Sequence, residues 1–158
     1  MNEELMNQVI LGDSLVELDR IEDKSVNLIC IDPPYNIGKD EWDYREDYYE
    51  FMNDIFIKLE SKLKDNGSFF FFHNNFRIMA ELDRLIQKNT SFMFRNFIIW
   101  NKRFEGSPKK GFLDGYVVKG GLNSFNKMAE YIMFYTFDNS WKLKEERTKR
   151  NVVQMTMG

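Results

Sequence analysis

Four consecutive residues, Asp32-Pro33-Pro34-Tyr35, place a carboxylate, two carbonyls on residues that cannot donate, and an aromatic ring within one short stretch. Proline has no backbone N–H, so the stretch is rich in hydrogen-bond acceptors and poor in donors, a set suited to a partner that brings its own N–H groups. Each proline also fixes its own φ and drives the residue before it toward extended geometry, which makes the loop stiff. The plainer reading is that Asp-Pro-Pro only ends a strand and Tyr35 packs on the surface.

The preceding run, Val26-Asn27-Leu28-Ile29-Cys30-Ile31, has the length and β-branched content of a buried strand that stops at Asp32. In open α/β sheets ligands gather at the carboxyl ends of strands, where this loop would lie. Upstream, Val9-Ile10-Leu11 predicts a short strand over residues 8–11, stopped by Gly12, with Asp13 or Ser14 capping a helix over 14–20. Downstream, Tyr48, Phe51, Ile55, Leu59 and Leu63 recur at helical spacing and predict a helix over 46–64, ended by Asp65-Asn66-Gly67. Ser68 to Phe72 predicts a strand apolar on both sides, as when helices cover both faces. Asn74 or Asn75 caps a helix over 75–88 with a Phe76, Met79, Leu82, Ile86 stripe, and strands follow over 94–100 and 131–137. The alternation predicts a three-layer α/β fold with a mostly parallel sheet.

His73 is the only histidine and Cys30 the only cysteine, so the sequence suggests neither a disulfide framework nor a metal site; His73 reads as a structural or loop-lining residue. At 158 residues with 43% hydrophobic and 16% aromatic content, the chain is expected to form one globular unit, residues 1–158. It shows no apolar run of membrane-spanning length and no signal-peptide pattern at its acidic start, so a cytoplasmic location is expected.

Residues 1–60 hold 16 acidic and 5 basic side chains, so −11 of charge lies there and +8 in the remainder of a chain of net charge −3. Residues 101–127 contain five of the nine glycines and six basic against two acidic side chains, without a sustained period. This reads as a long loop in which Lys102, Arg103, Lys109, Lys110 and Lys119 interleave with Phe104, Phe112 and Tyr116, a mix suited to phosphate contact and base stacking. A merely soluble insertion has the same composition.

Asp-Pro-Pro-Tyr after an apolar strand resembles the catalytic motif of the DNA amino-methyltransferases, which methylate adenine N6 or cytosine N4 with S-adenosylmethionine. The match extends through Gly12-Asp13, Gly67-Ser68 with its aromatic strand, Ile98-Ile99-Trp100-Asn101-Lys102, the basic loop and Glu130 to Tyr135, about residues 9–137. It is similar to the permuted order in which the catalytic region precedes the target-recognition and cofactor regions. The resemblance implies an incomplete Rossmann-like S-adenosylmethionine-dependent methyltransferase fold. It implies that Asp32 and a Pro33 or Pro34 carbonyl accept the two N–H bonds of the base amine while Tyr35 stacks on a base flipped out of duplex DNA, with no metal required. Asp13, beside the adenine of the cofactor, and Asp32 and Asn36 are the cofactor-binding candidates. Asp rather than Ser at the first motif position is the form associated with adenine N6, and restriction-modification is the implied setting. Cytosine N4 transfer, or a non-catalytic DNA-binding or accessory subunit, are the alternatives.

One departure is clear. The Gly-x-Gly loop through which the family grips the methionine end of its cofactor is absent, since no two glycines stand two positions apart. Either another segment of a longer enzyme, a second chain or a homodimer completes the cofactor site, or the chain is a remnant without activity; in each case the isolated chain is expected to leave a sheet edge or apolar face open.

Overall fold

In a computed structural model of the protein, the described residues are 5, 7–36, 38, 43–101 and 129–137. The elements run α1 (Ser14–Glu17), a 3-10 turn (Leu18–Arg20), β1 (Val26–Ile31), α2 (Tyr48–Lys62), β2 (Leu63–His73), α3 (Phe76–Asn89), β3 (Met93–Asn101) and β4 (Ala129–Thr136). The sheet order is β1-β2-β4-β3.

β1 pairs with β2 in parallel, while β4 lies antiparallel to both β2 and β3. The sheet is thus mixed where the sequence predicted a mostly parallel one. β1, β2 and β3 still point the same way, because α2 and α3 return the chain in crossovers between them. Only β4 is reversed, inserted between β2 and β3. A strand apolar on both faces has the same pattern read in either direction, so its polarity is not written in its residues.

The predicted strand at 8–11 does not form. Val9 and Leu11 are 102% and 101% exposed, and β1 is paired on the β2 side alone among the described residues. Apolar, β-branched residues become a strand only beside a partner that takes up their backbone N–H and C=O groups. Helix α2 ends at Lys62, two residues earlier than predicted, and β2 begins directly at Leu63 rather than at Ser68. The register jumps there, Leu63 pairing with Val26 and Ser68 with Leu28. Gly67 makes that irregularity possible, since a Cβ on it would lie 2.6 Å from Leu63 Cδ1.

One face of the sheet carries the core. Phe69 and Phe71 of β2, Met133 and Tyr135 of β4 and Ile29 of β1 pack against Met52, Ile55, Phe56 and Leu59 of α2 and Met79, Leu82 and Ile86 of α3. The Phe69 and Tyr135 rings stack at 5.7 Å, and the Phe56 and Phe71 rings lie 5.6 Å apart. The Tyr135 hydroxyl, buried in this layer, donates to Asp83 Oδ1 at 2.6 Å, which satisfies a polar tip that burial would otherwise leave stranded. On the opposite face Phe70 and Phe134 stack at 4.4 Å, and Leu28 of β1 is 59% exposed. Among the described residues the helices pack on the core face, and none covers this opposite face as the three-layer expectation required. The basic stretch 102–127, with Lys102, Arg103, Lys109, Lys110 and Lys119, lies outside the described residues. No described helix is long and apolar enough to cross a membrane.

Two ion pairs, Lys58 with Asp19 and Lys62 with Asp23 at 2.5 Å, tie α2 to the turn before β1. The Lys24 and Ser25 N–H groups donate to the Ser61 and Lys62 carbonyls at 2.9 and 3.1 Å. The end of α2 and the start of β1 are stapled together, which sets the direction in which β1 delivers its carboxyl end.

Candidate functional site

The parallel pairing of β1 and β2 brings their carboxyl ends together, and Ile31 stands opposite Phe71. Asp32-Pro33-Pro34-Tyr35 therefore emerges beside His73, two residues beyond Phe71. The Tyr35 ring lies over the His73 ring, centroids 4.7 Å apart at 32°. The Tyr35 hydroxyl donates to Asp32 Oδ1 at 2.6 Å. Burial, and then this bond to the Asp32 carboxylate, hold the Tyr35 phenol well above the ordinary tyrosine range, so it stays protonated and remains a donor.

The loop is clamped from below. Asp43, 2% exposed, accepts the Tyr35 N–H at 2.7 Å and the Asn36 N–H at 3.2 Å through one oxygen, Oδ1. Asn36 adopts a left-handed φ of 54°, a conformation that asparagine tolerates better than most residues. Its Oδ1 accepts the Arg45 N–H at 2.9 Å. Arg45 in turn grips Asp47 through two bonds of 3.0 and 2.9 Å and lies 4.1 Å over the Phe51 ring. From the first turn of α2, Tyr48 donates its hydroxyl proton to the Pro34 carbonyl at 2.8 Å. Burial raises the Tyr48 phenol above its usual range as well, which keeps that proton in place.

These bonds divide the loop's acceptors into used and open ones. Pro34 O is taken by Tyr48 and Asp32 Oδ1 by Tyr35, whereas no described donor meets Asp32 Oδ2 or the Pro33 carbonyl. Beside them is a cleft of about 330 Å³ lined by Ser14, Leu18, Ile31, Asp32, Pro33, Pro34 and the α2 side chains Phe51, Met52, Ile55 and Leu59. Asp13, just before the lining residue Ser14, is exposed, and its Oδ1 accepts the Leu15 N–H at 2.9 Å as the cap of α1.

Of the residues singled out from sequence, Asp32, Pro33, Pro34, Tyr35 and Asn36 lie in one loop, of which Asp32, Pro33 and Pro34 line the cleft, while Asp13 is not part of the lining and directly precedes Ser14, which is. His73 takes the loop-lining place its isolation suggested. Asp43 and Tyr48 were not singled out for the loop. Tyr48 carried a visible signal, as the first residue of an apolar helical stripe directly after a polar loop; Asp43, among several acidic neighbours, carried none.

Comparison with known proteins matches this arrangement to one family. The profile of the DNA methylase family (N6/N4 Mtase) matches residues 26–156. The type II methyltransferase M1.MboII of Moraxella bovis is 38% identical over 102 residues, 62% of this chain and 38% of that protein. The DNA adenine methyltransferase YhdJ of Escherichia coli K12 is 32% identical over 109 residues, 65% of this chain and 35% of that protein. The chain therefore spans little more than a third of the length of these relatives. Among solved structures, the cytosine-N4-specific PvuII DNA methyltransferase superimposes with a TM-score of 0.59 at 18% identity, covering 81% of this chain and 48% of that one. A Thermus thermophilus structure described as a DNA modification methylase, complexed with S-adenosyl-L-methionine, gives 0.58 at 19% identity, covering 89% and 59%. The fold is that of the S-adenosylmethionine-dependent methyltransferases, present here in part. With the family profile matched from the start of β1 onward, the chain belongs to the DNA methylase family.

Proposed function

We propose that this chain is the catalytic part of a DNA methyltransferase that moves a methyl group from S-adenosylmethionine to adenine N6 in duplex DNA, within a restriction-modification system. The observation that carries the reading is the acceptor pair left open at the end of β1, Asp32 Oδ2 and the Pro33 carbonyl. An exocyclic amine is a poor nucleophile because its lone pair is delocalised into the ring. Two acceptors that take its two N–H bonds draw it toward tetrahedral geometry as it attacks. Asp32 adds a negative charge where positive charge develops on the amine. One face of the Tyr35 ring rests on His73, so a flipped base stacks on the opposite face.

The bound cofactor supplies an electrophilic methyl on a cationic sulfonium. The residues present suit part of it: the cleft wall is mostly apolar and includes the Asp32 carboxylate, and Asp13 directly precedes Ser14, which lines it. Asn36, whose side-chain oxygen is occupied by Arg45, serves the loop's shape first and the cofactor through it. The completing groups belong to further chain, from the same polypeptide or a second one, seated along the open edge of β1 and the exposed Val9 and Leu11. On this reading the 158 residues alone bind S-adenosylmethionine about 10- to 100-fold more weakly than the completed protein, the scale of one or two lost hydrogen bonds to charged groups. Calorimetric titration of both forms checks this, and equal affinity would place the cofactor site within these residues.

Adenine is favoured by Asp at the first motif position and by the name of the YhdJ relative. Radiolabelled methyl transfer to duplex DNA, followed by nucleoside analysis, separates N6-methyladenine from N4-methylcytosine. No transfer by the completed protein would instead favour an accessory DNA-binding role. In either role the basic stretch is expected to meet phosphate. Reversing Lys109 and Lys110 to Glu should weaken binding to all DNA sequences and flatten the log–log salt dependence by about 0.9 per lost contact, roughly 2 in total. An unchanged salt slope would remove these lysines from the interface.

A further inference from the structure

Beneath the Asp32 loop lies a buried chain of hydrogen bonds that the transfer reaction does not itself use. The Asn75 N–H meets His73 Nδ1 at 2.9 Å, His73 Nε2 meets the Tyr48 hydroxyl at 3.3 Å, and that hydroxyl meets the Pro34 carbonyl at 2.8 Å. The directions follow from chemistry. A backbone N–H can only donate, so His73 Nδ1 accepts and carries no proton. A carbonyl can only accept, so the Tyr48 proton points to Pro34, and the Tyr48 oxygen has a lone pair left for His73 Nε2. His73 must then be the Nε2–H tautomer and donate. Asn75 is doubly engaged, since its side chain also caps α3 by accepting the Arg77 N–H at 3.0 Å, which anchors the amide that selects the tautomer.

We propose that His73 and Tyr48 are positioning residues for methyl transfer. The start of α3 fixes the imidazole tautomer, the imidazole orients the Tyr48 hydroxyl, and the hydroxyl occupies Pro34 so that the loop presents Asp32 and Pro33 to the base. The same imidazole forms the floor under Tyr35, so one side chain sets both the acceptors and the stacking ring. His73 is fully buried in this place. The inference rests on the methyltransferase reading for its purpose, but not for the bond directions.

His73 is the sole histidine, so ¹⁵N-labelled imidazole gives a single pair of ring nitrogens in the intact chain. The expected spectrum shows an unprotonated Nδ1 and a protonated Nε2 at neutral pH, without DNA or cofactor. In Tyr48→Phe, which removes one oxygen, the Nε2 resonance and the Pro34 carbonyl carbon resonance should both shift. In Tyr35→Ala the imidazole carbon-bound protons should lose the ring-current shift of the stacked phenol. A protonated Nδ1, an imidazolium, or a Tyr48→Phe spectrum that leaves both resonances in place would overturn the proposal.

In the completed enzyme, Tyr48→Phe should lower the single-turnover rate about 5- to 10-fold with KM for DNA little changed, the scale of one hydrogen bond used for orientation. His73→Gln, which keeps a donor near the Nε2 position, should retain more of that rate than His73→Leu. Equal rates for His73→Gln and His73→Leu would reduce His73 to a packing residue. Because the spectra need no catalysis, they can fail while the DNA reaction stands, and the DNA reaction can fail while they hold.

Discussion

Replacing Asp32 by Ala in the completed enzyme is expected to lower the methyl-transfer rate by about 10²- to 10³-fold, the scale on which a single preorganised charge-stabilising group acts. The substitution removes the charged acceptor and the partner of the Tyr35 hydroxyl together, because that hydroxyl donates to Asp32 Oδ1 at 2.6 Å. Asp32 is exposed and lies past the end of β1, so the fold should survive and the loss should appear in kcat. Asp32→Asn keeps an oxygen able to accept from Tyr35 and from the base while removing the charge, and should fall between Ala and wild type. Rapid-quench methyl transfer at saturating DNA and cofactor separates rate from binding. A rate for Asp32→Ala within about threefold of wild type, well short of losing a transition-state contact, would end the proposed role of the carboxylate.

The second large effect concerns stability. Phe71→Ala should cost about 3–5 kcal/mol, the usual range for emptying a fully buried phenylalanine site. Phe71 is completely buried, packs against Phe56 and Tyr135, and stands opposite Ile31, the last residue before the Asp-Pro-Pro-Tyr loop. Its neighbours come from α2, β1 and β4, so no single element can move inward to fill the space. Domains of this size commonly hold about 5–15 kcal/mol in total, and such a loss would leave a much less stable chain. Urea unfolding followed by circular dichroism and by tryptophan fluorescence gives the measurement. A change under about 1 kcal/mol would mean that the ring is replaced by local collapse or water, contrary to a close-packed layer. A milder second test of the same layer is Phe71→Leu, which keeps most of the volume and should cost less.

Much of the site was legible because its principal groups are covalent neighbours. Asp32, Pro33, Pro34 and Tyr35 declare an acceptor-rich, stiff loop through the chemistry of proline alone, and the apolar run before them declares the strand that carries it. Helices α2 and α3 were legible through the spacing of their apolar residues, and the Asn75 cap through its residue type, because those signals act within one or two turns. Asp43 was not, since it stands eight and seven positions along the chain from the two N–H groups it holds, and any of several nearby carboxylates had the same local appearance. His73 and Tyr48 were visible as a lone histidine and a helix-stripe aromatic. Their joint contact with Pro34 depends on β1 and β2 lying side by side.

By itself, then, the sequence determined the elements that rest on local periodicity, the acceptor-rich loop and the family to which the chain belongs. Tertiary structure alone decided the reversal of β4, the failure of residues 8–11 to become a strand, and the division of the loop's acceptors into occupied and open ones. The reason is common to all three. Strand direction, strand formation and the occupancy of a carbonyl are set by a partner distant along the chain. A residue's own chemistry states what bonds it can make, while the packing of α2, α3 and the parallel β1–β2 pair determines which of them are made.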